Sequence, residues 1–459
     1  MKDFINKFPN GLELQRITTL NKYKELYENN QYSIFGVHDI IKNQYKDVKD
    51  LMYLAHAIPA RISEFYGDFV QGDTARLLIN NTTGVKNDDE FVAQIVYEND
   101  LKEKIYDYAV EQSEFGYVVL LGYVDENSFF KIDAAPQDQY FPQADGSVIF
   151  ATYKADPNDN THKRLLLLTQ HYKIEGGNVV IERQAFETNE KGVATKTIGL
   201  DIFSTLLGKT LNPTDTIEGL DELPIRQIDN GKRAKWGFGK SDYHDITPQL
   251  AEINERATHS STQLLKNLDA KMVLPKSMFN EDGKAKYTEA YAMENTNEVE
   301  PKYIINSNPL LTETREHIMF ELKMVSFLTG VPMFELLKGS MPERVEGLRM
   351  QLFSAVRKTD TKRAKIKRGI MDMFRIGFKM TNRKIEQDVE IKFGDVLPTD
   401  DLLSAETEAT KVRSGLSSRK SAIKRLENLD DTQADDEMKQ IANEDRIAGV
   451  ADTTVPPTV

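Results

Sequence analysis

Between Glu343 and Lys384 the positions Val345, Leu348, Leu352, Val356, Thr359, Ile366, Ile370, Met373 and Gly377 recur at three- and four-residue steps. That spacing puts them on one stripe of a helix longer than a compact domain normally needs, so it must lie against something long. A second seam, Ile246, Leu250, Ile253, Ala257, Ser260, Leu264 and Leu268, predicts a helix starting at Ser241 or Asp242, either of which could cap it. So narrow a seam suits packing against a neighbouring helix, in this subunit or another. A third helix, Leu311 to Thr329, is stopped by Gly330, Val331 and Pro332, and Asp269 to Asn308 reads as a small β-containing excursion between the two.

The N-terminal half changes period once. Residues 1 to 60 read as helical, through Leu12, Leu14, Ile17, Leu20, Tyr23, Leu26 and Tyr27 and again from Val48 to Ile58, where Pro59 ends the run. Asp89 to Glu114 predicts one amphipathic helix with Phe91, Ile95, Leu101, Ile105 and Ala109 inside. From Gly116 the runs are short and β-rich: Gly116 to Val124, Phe129 to Ile132, Val148 to Tyr153, Arg164 to Tyr172 and Val179 to Phe186. Turn residues divide them, which predicts an antiparallel meander packed on the helices. Residues 187 to 222 read as loops and ragged strands, and Leu223 to Ile228 as one more strand. After the long helix come a strand at Val389 to Phe393, an acidic helix from Leu397, a break at Gly415 and a helix from Arg419 to Asn428. Beyond Asp430 the acidic tail predicts disorder. The fold class is α+β.

Charge sharpens the picture of the long helix. Residues 343 to 384 hold thirteen basic and four acidic side chains, net +9, which leaves −22 on the rest of a chain whose total is −13. A distributed anion is the natural partner of such an element, and a solvated face or an acidic neighbour carries equal weight. With 459 residues, 40% apolar and 29% charged, the chain has room for two or three folded domains. The absence of cysteine excludes disulfide scaffolds, thiolate metal sites and cysteine nucleophiles. The N-terminus lacks a signal-peptide core, and the longest apolar runs, Tyr117 to Leu121 and Leu165 to Leu168, are too short to span a bilayer, so the expectation is a soluble, non-exported chain with no membrane partner.

Catalytic patterns fail one by one. Ala234 to Ser241 satisfies a relaxed phosphate-loop pattern ending in Lys240, but Trp236 and Phe238 are bulky where phosphates need close backbone approach, and the preceding strand ends too early. The seven histidines show no metal-ligand spacing, and no Gly-x-Ser-x-Gly elbow is present. Asp400 and Asp401 beside a helix start are read as capping. Neither enzyme chemistry nor a cofactor is expected.

The order of parts says more than any motif. Gly239 to Glu255, Asn267 to Leu274, Thr329 to Pro332, Val389 to Asp400 and Ser414 to Ile423, in that order and spacing, resemble the portal proteins of tailed bacteriophages, specifically the Gram-positive siphophage type. The resemblance covers nearly the whole chain. It implies a portal fold: an α/β wing at 1–240, stem helices at 241–268 and 310–330, a clip at 269–309, a channel loop at 331–346, the long helix and a strand returning to the wing at 343–398, and a crown with its acidic tail at 399–459. It also implies a homo-oligomeric ring, dodecameric as is usual in the family, at one capsid vertex of the virion, assembled in the host cytoplasm. Double-stranded DNA would pass through it without sequence specificity, and the terminase large subunit, a head-completion adaptor, scaffolding protein and major capsid protein would be its partners. Lys338, Gly339, Ser340 and Arg344 are the DNA-channel candidates, and Met278, Phe279, Asn280, Glu281 and Asp282 the partner-docking candidates of the clip. A ring repeats Lys338 and Arg344 into circles of positive charge that meet phosphates regardless of sequence. The competing expectations are a monomeric nucleic-acid-binding protein using helix 343–384, and a nucleotide-using enzyme acting through Lys240.

Overall fold

The computed structural model describes residues 4–36, 53–72, 78–81, 86–157, 159, 164–231, 237–268, 271–273, 302–304, 310–332, 352–383, 389–394, 401–426 and 431–452. Helix α1 (Gly11–Tyr27) opens with a reciprocal cap, in which Asn10 Oδ1 accepts from Leu12 N and Glu13 N while Glu13 accepts from Asn10 N at 2.8 Å. Its buried side is Arg16, Leu20, Tyr23 and Leu26, whereas Leu12 is 65% exposed, so the expected apolar face is partly displaced by an arginine. Next come α2 (Gln31–Phe35) and α3 (Ile58–Gln71). Pro59 lies in the first turn of α3 and starts a helix instead of ending one, because the first turn has no partner for the amide that proline lacks.

Strand β1 (Leu78–Asn81) precedes α4 (Lys86–Glu98) and α5 (Leu101–Phe115). The single helix expected over 89–114 is broken at Asp100, which adopts φ 46°. Asn99 explains the break: its side chain donates to Phe130 O at 3.0 Å and accepts from Ile132 N at 2.7 Å, tying the corner to a strand. The strands that follow are β2 (Tyr117–Val124), β3 (Phe130–Ala135), β4 (Tyr140–Pro142), β5 (Val148–Ala155), β6 (Leu165–Glu175), β7 (Asn178–Thr188) and β8 (Ala194–Ile198). Helix α6 (Leu200–Leu207), β9 (Thr214–Ile217) and β10 (Ile225–Asp229) complete this half. The meander divides: β10-β2-β3 form one antiparallel sheet, and β4 to β8, with β9 on β7, form another. Leu166 to Leu168 is continuously apolar because both faces of the larger sheet are covered there, whereas Leu165 is 38% exposed. Leu167 packs with Phe4, Phe8, Phe141 and Phe186 on one side, and Leu166 and Leu168 meet Phe203 of α6 on the other. Loops and ragged strands were expected over 187–222, and α6 corrects that part of the reading.

The second half is α7 (Thr247–Leu268), β11 (Lys271–Val273), β12 (Lys302–Ile304), α8 (Leu310–Thr329), α9 (Phe353–Met380), β13 (Val389–Lys392), α10 (Asp401–Arg413), α11 (Arg419–Leu426) and α12 (Asp431–Asp452). Strands β11 and β12 pair antiparallel, so the excursion between α7 and α8 leaves and returns side by side. The tail expected to be disordered is helical in α12, where Ala434 is buried and Asp435 pairs with Lys420 at 2.6 Å. Helix α9, about 42 Å long for 28 residues, is the central beam. Its Ile366, Ile370, Met373, Phe374, Ile376 and Phe378 are at most 1% exposed in one core with β2, β3, β10 and α5. A separate core joins Leu26, Ile62 and Tyr66 to Tyr243, Ile246, Leu250, Ile253 and Val325.

Candidate nucleic-acid interface

The basic helix is where the sequence points to an anion, and the structure gives most of its cations partners within the chain. Lys358 and Lys362 lie over the Tyr66 ring at 4.8 and 4.9 Å and face the Asp242 carboxylate at 2.8 and 3.1 Å. Arg363 donates to Val70 O and Gly394 O at 2.9 and 2.8 Å and stacks on Phe393. Lys365 donates to Asp229 O at 3.1 Å and to Gly231 O. Arg375 pairs with Asp372, Lys379 with Asp221 and Glu222, and Arg383 lies 4.2 Å from the Phe91 ring centre. Among the described residues of α9, Arg357, Lys367 and Arg368 show no ion pair. Over the described residues of this element, 352–383, the charge is therefore largely met inside the protein, which counts against helix 343–384 as a broad DNA-binding face.

Asp242 is the centre of that arrangement, and sequence reasoning had it only as a possible cap. Helix α7 instead begins at Thr247, while the Asp242 carboxylate accepts from Ser113 Oγ at 2.7 Å and Asn230 Nδ2 at 2.9 Å and forms ion pairs with the two lysines. Burial alone would raise this carboxyl. Lys362 and Lys358, with hydrogen bonds from Lys358 and Ser113, more than reverse that and hold it well below the usual range. Lys362, 1% exposed, is pushed down to about 8, first by burial and then by Lys358, against the pull of Asp242. The two shifts do not mirror each other because the carboxylate has two hydrogen bonds and two ammonium neighbours, while the Lys362 ammonium has one anion and little solvent. Another buried cation, Arg16, donates to Tyr117 Oη, Gln137 O and Tyr140 O at 2.7 to 2.9 Å, with the rings of Phe141 and Phe238 each 5.0 Å away.

The phosphate-loop reading does not survive. Lys240 Nζ pairs with both Asp245 oxygens at 2.6 Å, and Phe238 packs on Tyr117. Gly239 lies against backbone: a Cβ built there would fall 2.0 Å from Gly116 O. This glycine serves a close approach of two chain segments. Histidines fill local roles, His171 bonding Ser147, His56 bonding Asn254 and His244 bonding Tyr23. Among the described residues no group of three His, Asp or Glu could hold a metal ion, and no helix is long and apolar enough to cross a membrane.

The channel candidates Lys338, Gly339, Ser340 and Arg344 and the docking candidates Met278, Phe279, Asn280, Glu281 and Asp282 lie outside the described residues. Among the described residues, large aromatic side chains are left uncovered. On α8 Phe320 and Phe327 are 57% and 79% exposed, and Phe353 at the start of α9 is 64% exposed.

Comparison with known proteins bears on the region that holds α9. Residues 345–449 match the family model described as "Phage portal protein, SPP1 Gp6-like". No curated protein matches the sequence. Among solved structures, a chain of the "Virion of native gene transfer agent (GTA) particle" superposes with TM-score 0.45 at 11% identity, over 80% of this chain and 89% of that one. A chain of the "Neck of empty GTA particle computed with C6 symmetry" gives 0.47 at 12%, over 81% and 90%. One of the "Neck of native GTA particle computed with C12 symmetry" gives 0.42 at 10%, over 82% and 90%. So distant a likeness assigns no property of those particles to this chain.

Proposed function

From the match of residues 345–449 to the phage portal family, we propose that this chain is a portal protein, that its copies close into a ring at one capsid vertex and that double-stranded DNA passes through the ring during packaging and ejection. The family match is the observation that carries the reading. The aromatic side chains left open on α8 and α9 support assembly, because large apolar groups in solvent are stabilised by burial against another surface. In this reading residues 1–240 are the wing, 241–268 and 310–330 the stem, 269–309 the clip, 331–346 the channel loop, 343–398 the long helix and returning strand, and 399–459 the crown. The clip, through Met278 to Asp282, docks the terminase large subunit and later the head-completion adaptor. Scaffolding and major capsid proteins meet the outer surface. The protein is a structural component of the virion, assembled in the host cytoplasm.

Placing most of the α9 charge inside the fold suits this function. A channel for a moving polyanion works with few phosphate contacts, since each adds salt-dependent grip. Lys338 and Arg344 remain the candidates for those contacts. Replacing both with Ala is expected to leave assembly intact and to reduce packaging or retention of DNA in particles; unchanged DNA content would remove the assignment. For the ring itself, native mass measurement and negative-stain microscopy of the purified protein are expected to show closed rings of roughly a dozen 52.3 kDa chains. A 52.3 kDa monomer at every concentration, binding DNA in a salt-sensitive way, would instead favour a monomeric nucleic-acid-binding protein.

A further inference from the structure

Two surfaces of the chain are each incomplete, in complementary ways. The first is a ridge where α8 ends on α9. Lys358 Nζ donates to Thr329 O at 3.1 Å, and this contact brings Phe327 and Leu328, 79% and 41% exposed, next to the turn that begins with Phe353 and Arg357. Arg357 is exposed and has no ion pair among the described residues.

The second is the acidic face of α3 and α5. Gly67 lies on Tyr106, so close that a Cβ there would fall 2.6 Å from the ring. Glu64 and Asp68 of α3 thereby flank Tyr106 together with Asp107 of α5, and the three carboxylates act jointly on its hydroxyl. The cation on this face is Arg61, 3.7 Å from Glu64. Behind it Glu114 is 5% exposed. Burial first, then Glu111 and Glu28, push that carboxyl up to about 8, with Lys24 opposing. Tyr27 senses Glu64, Glu114 and Asp107 together, which makes the carboxylates one neighbourhood. So many negative groups with so little counter-charge leave room for an incoming cation.

Resting on the ring reading above, we propose that adjacent copies meet through this pair of surfaces: the Phe327, Leu328, Phe353 and Arg357 ridge of one copy seats on the Glu64, Asp68, Tyr106 and Asp107 face of the next. The guanidinium of Arg357 pairs with the carboxylates and stacks on tyrosine, and the aromatic side chains provide the apolar centre of the contact. Ridge and face are different patches, so the contact runs head to tail and closes into a ring rather than a two-fold dimer. A ridge-to-ridge contact would have the opposite symmetry.

Charge reversal tests this. Arg357→Glu changes an exposed side chain near the start of α9. Asp68→Lys with Asp107→Lys relieves like-charge repulsion in the folded chain, so unchanged or improved thermal stability of both variants establishes folding. With the full-length proteins in light scattering and native mass spectrometry, each variant alone is expected to shift the assembly midpoint more than tenfold to higher concentration. A one-to-one mixture should assemble like wild type, because each reversed ridge then meets a reversed face. Folded Arg357→Glu protein that assembles like wild type, or a mixture that stays dissociated, overturns the interface while leaving the ring reading standing. A wild type monomeric at every concentration removes both.

Discussion

Asp242→Ala lowers the free energy of unfolding by about 3–5 kcal/mol, the range for removing one partner of a buried ion pair. The loss is that large because Lys362 stays behind, 1% exposed and with no other ion-pair partner among the described residues, while Ser113 Oγ loses its acceptor and Asn230 Nδ2 keeps only Lys240 O. Adding Lys362→Met removes the stranded charge and keeps an apolar stem over the Tyr66 ring. Urea denaturation at fixed protein concentration should therefore find the double variant well above Asp242→Ala, with a coupling energy of about 1–3 kcal/mol. A double variant no more stable than the single one would mean that Asp242 acts through its hydrogen bonds to Ser113 and Asn230 alone. The pH dependence carries a sign. Lys362 titrates at about 8 in the fold against 10.5 in the free side chain, so between those values the unfolded chain binds the extra proton. This group's contribution consequently improves as pH rises through that window. In Asp242→Ala the anion that raises Lys362 is gone and its folded pKa falls further, so the Asp242→Ala deficit should shrink as pH rises toward about 8 and stay level above it. Asp242 behaves in the opposite way. Its carboxyl lies below the ordinary 3.8, so its contribution is fully present above that value and is lost as pH falls below it.

Gly239→Ala is the second large effect, at least about 3 kcal/mol, at the upper end of what overpacking costs. The added methyl would meet Gly116 O at 2.0 Å and Asn230 N at 2.5 Å, and these are backbone atoms with no rotamer to yield. Both belong to a knot of main-chain bonds: Asn230 N donates to Gly116 O at 2.7 Å, Asp242 N to Ser113 O at 2.9 Å, and Gly239 N to Asp229 Oδ1 at 3.1 Å. Forcing the strands of that knot apart also moves Asp242 off its lysines, so the two largest effects share one junction. Gly11→Ala, with nothing within 4 Å and at the first position of α1, is the matched control and should change stability by less than about 0.5 kcal/mol. Thermal unfolding of the pair checks it; equal melting temperatures would remove the account.

The α+β class, the paired helices α7 and α8, the long helix and the strand after it were legible because each rests on local spacing. Asp242 was not, because its lysines lie more than a hundred residues away and nothing local distinguishes a cap from a buried acceptor. A trace of it was present all the same. The apolar stripe of α9 steps from Thr359 to Ile366, and the turn it passes over holds Lys362 and Arg363, both buried. Cations filling a gap in an apolar stripe are the signal that would have located internal partners. The helix break at Asp100 was missed for a related reason, since Asn99 draws its meaning from β3. Helix α6 was hidden because two turns around Phe203 are too few to establish a period.

Strand β1 finds its partner in β13, Leu78 opposite Lys392 and Asn81 opposite Val389. An edge made early in synthesis therefore waits for residues made some three hundred positions later, after α9 has been threaded through the core. A nascent chain that leaves the ribosome before Lys392 is added carries a bare sheet edge with no complement in its own length, and such edges recruit other chains. Completion of the N-terminal body is thereby tied to translation of the far end, and prematurely terminated copies should surface in aggregates rather than as defective subunits.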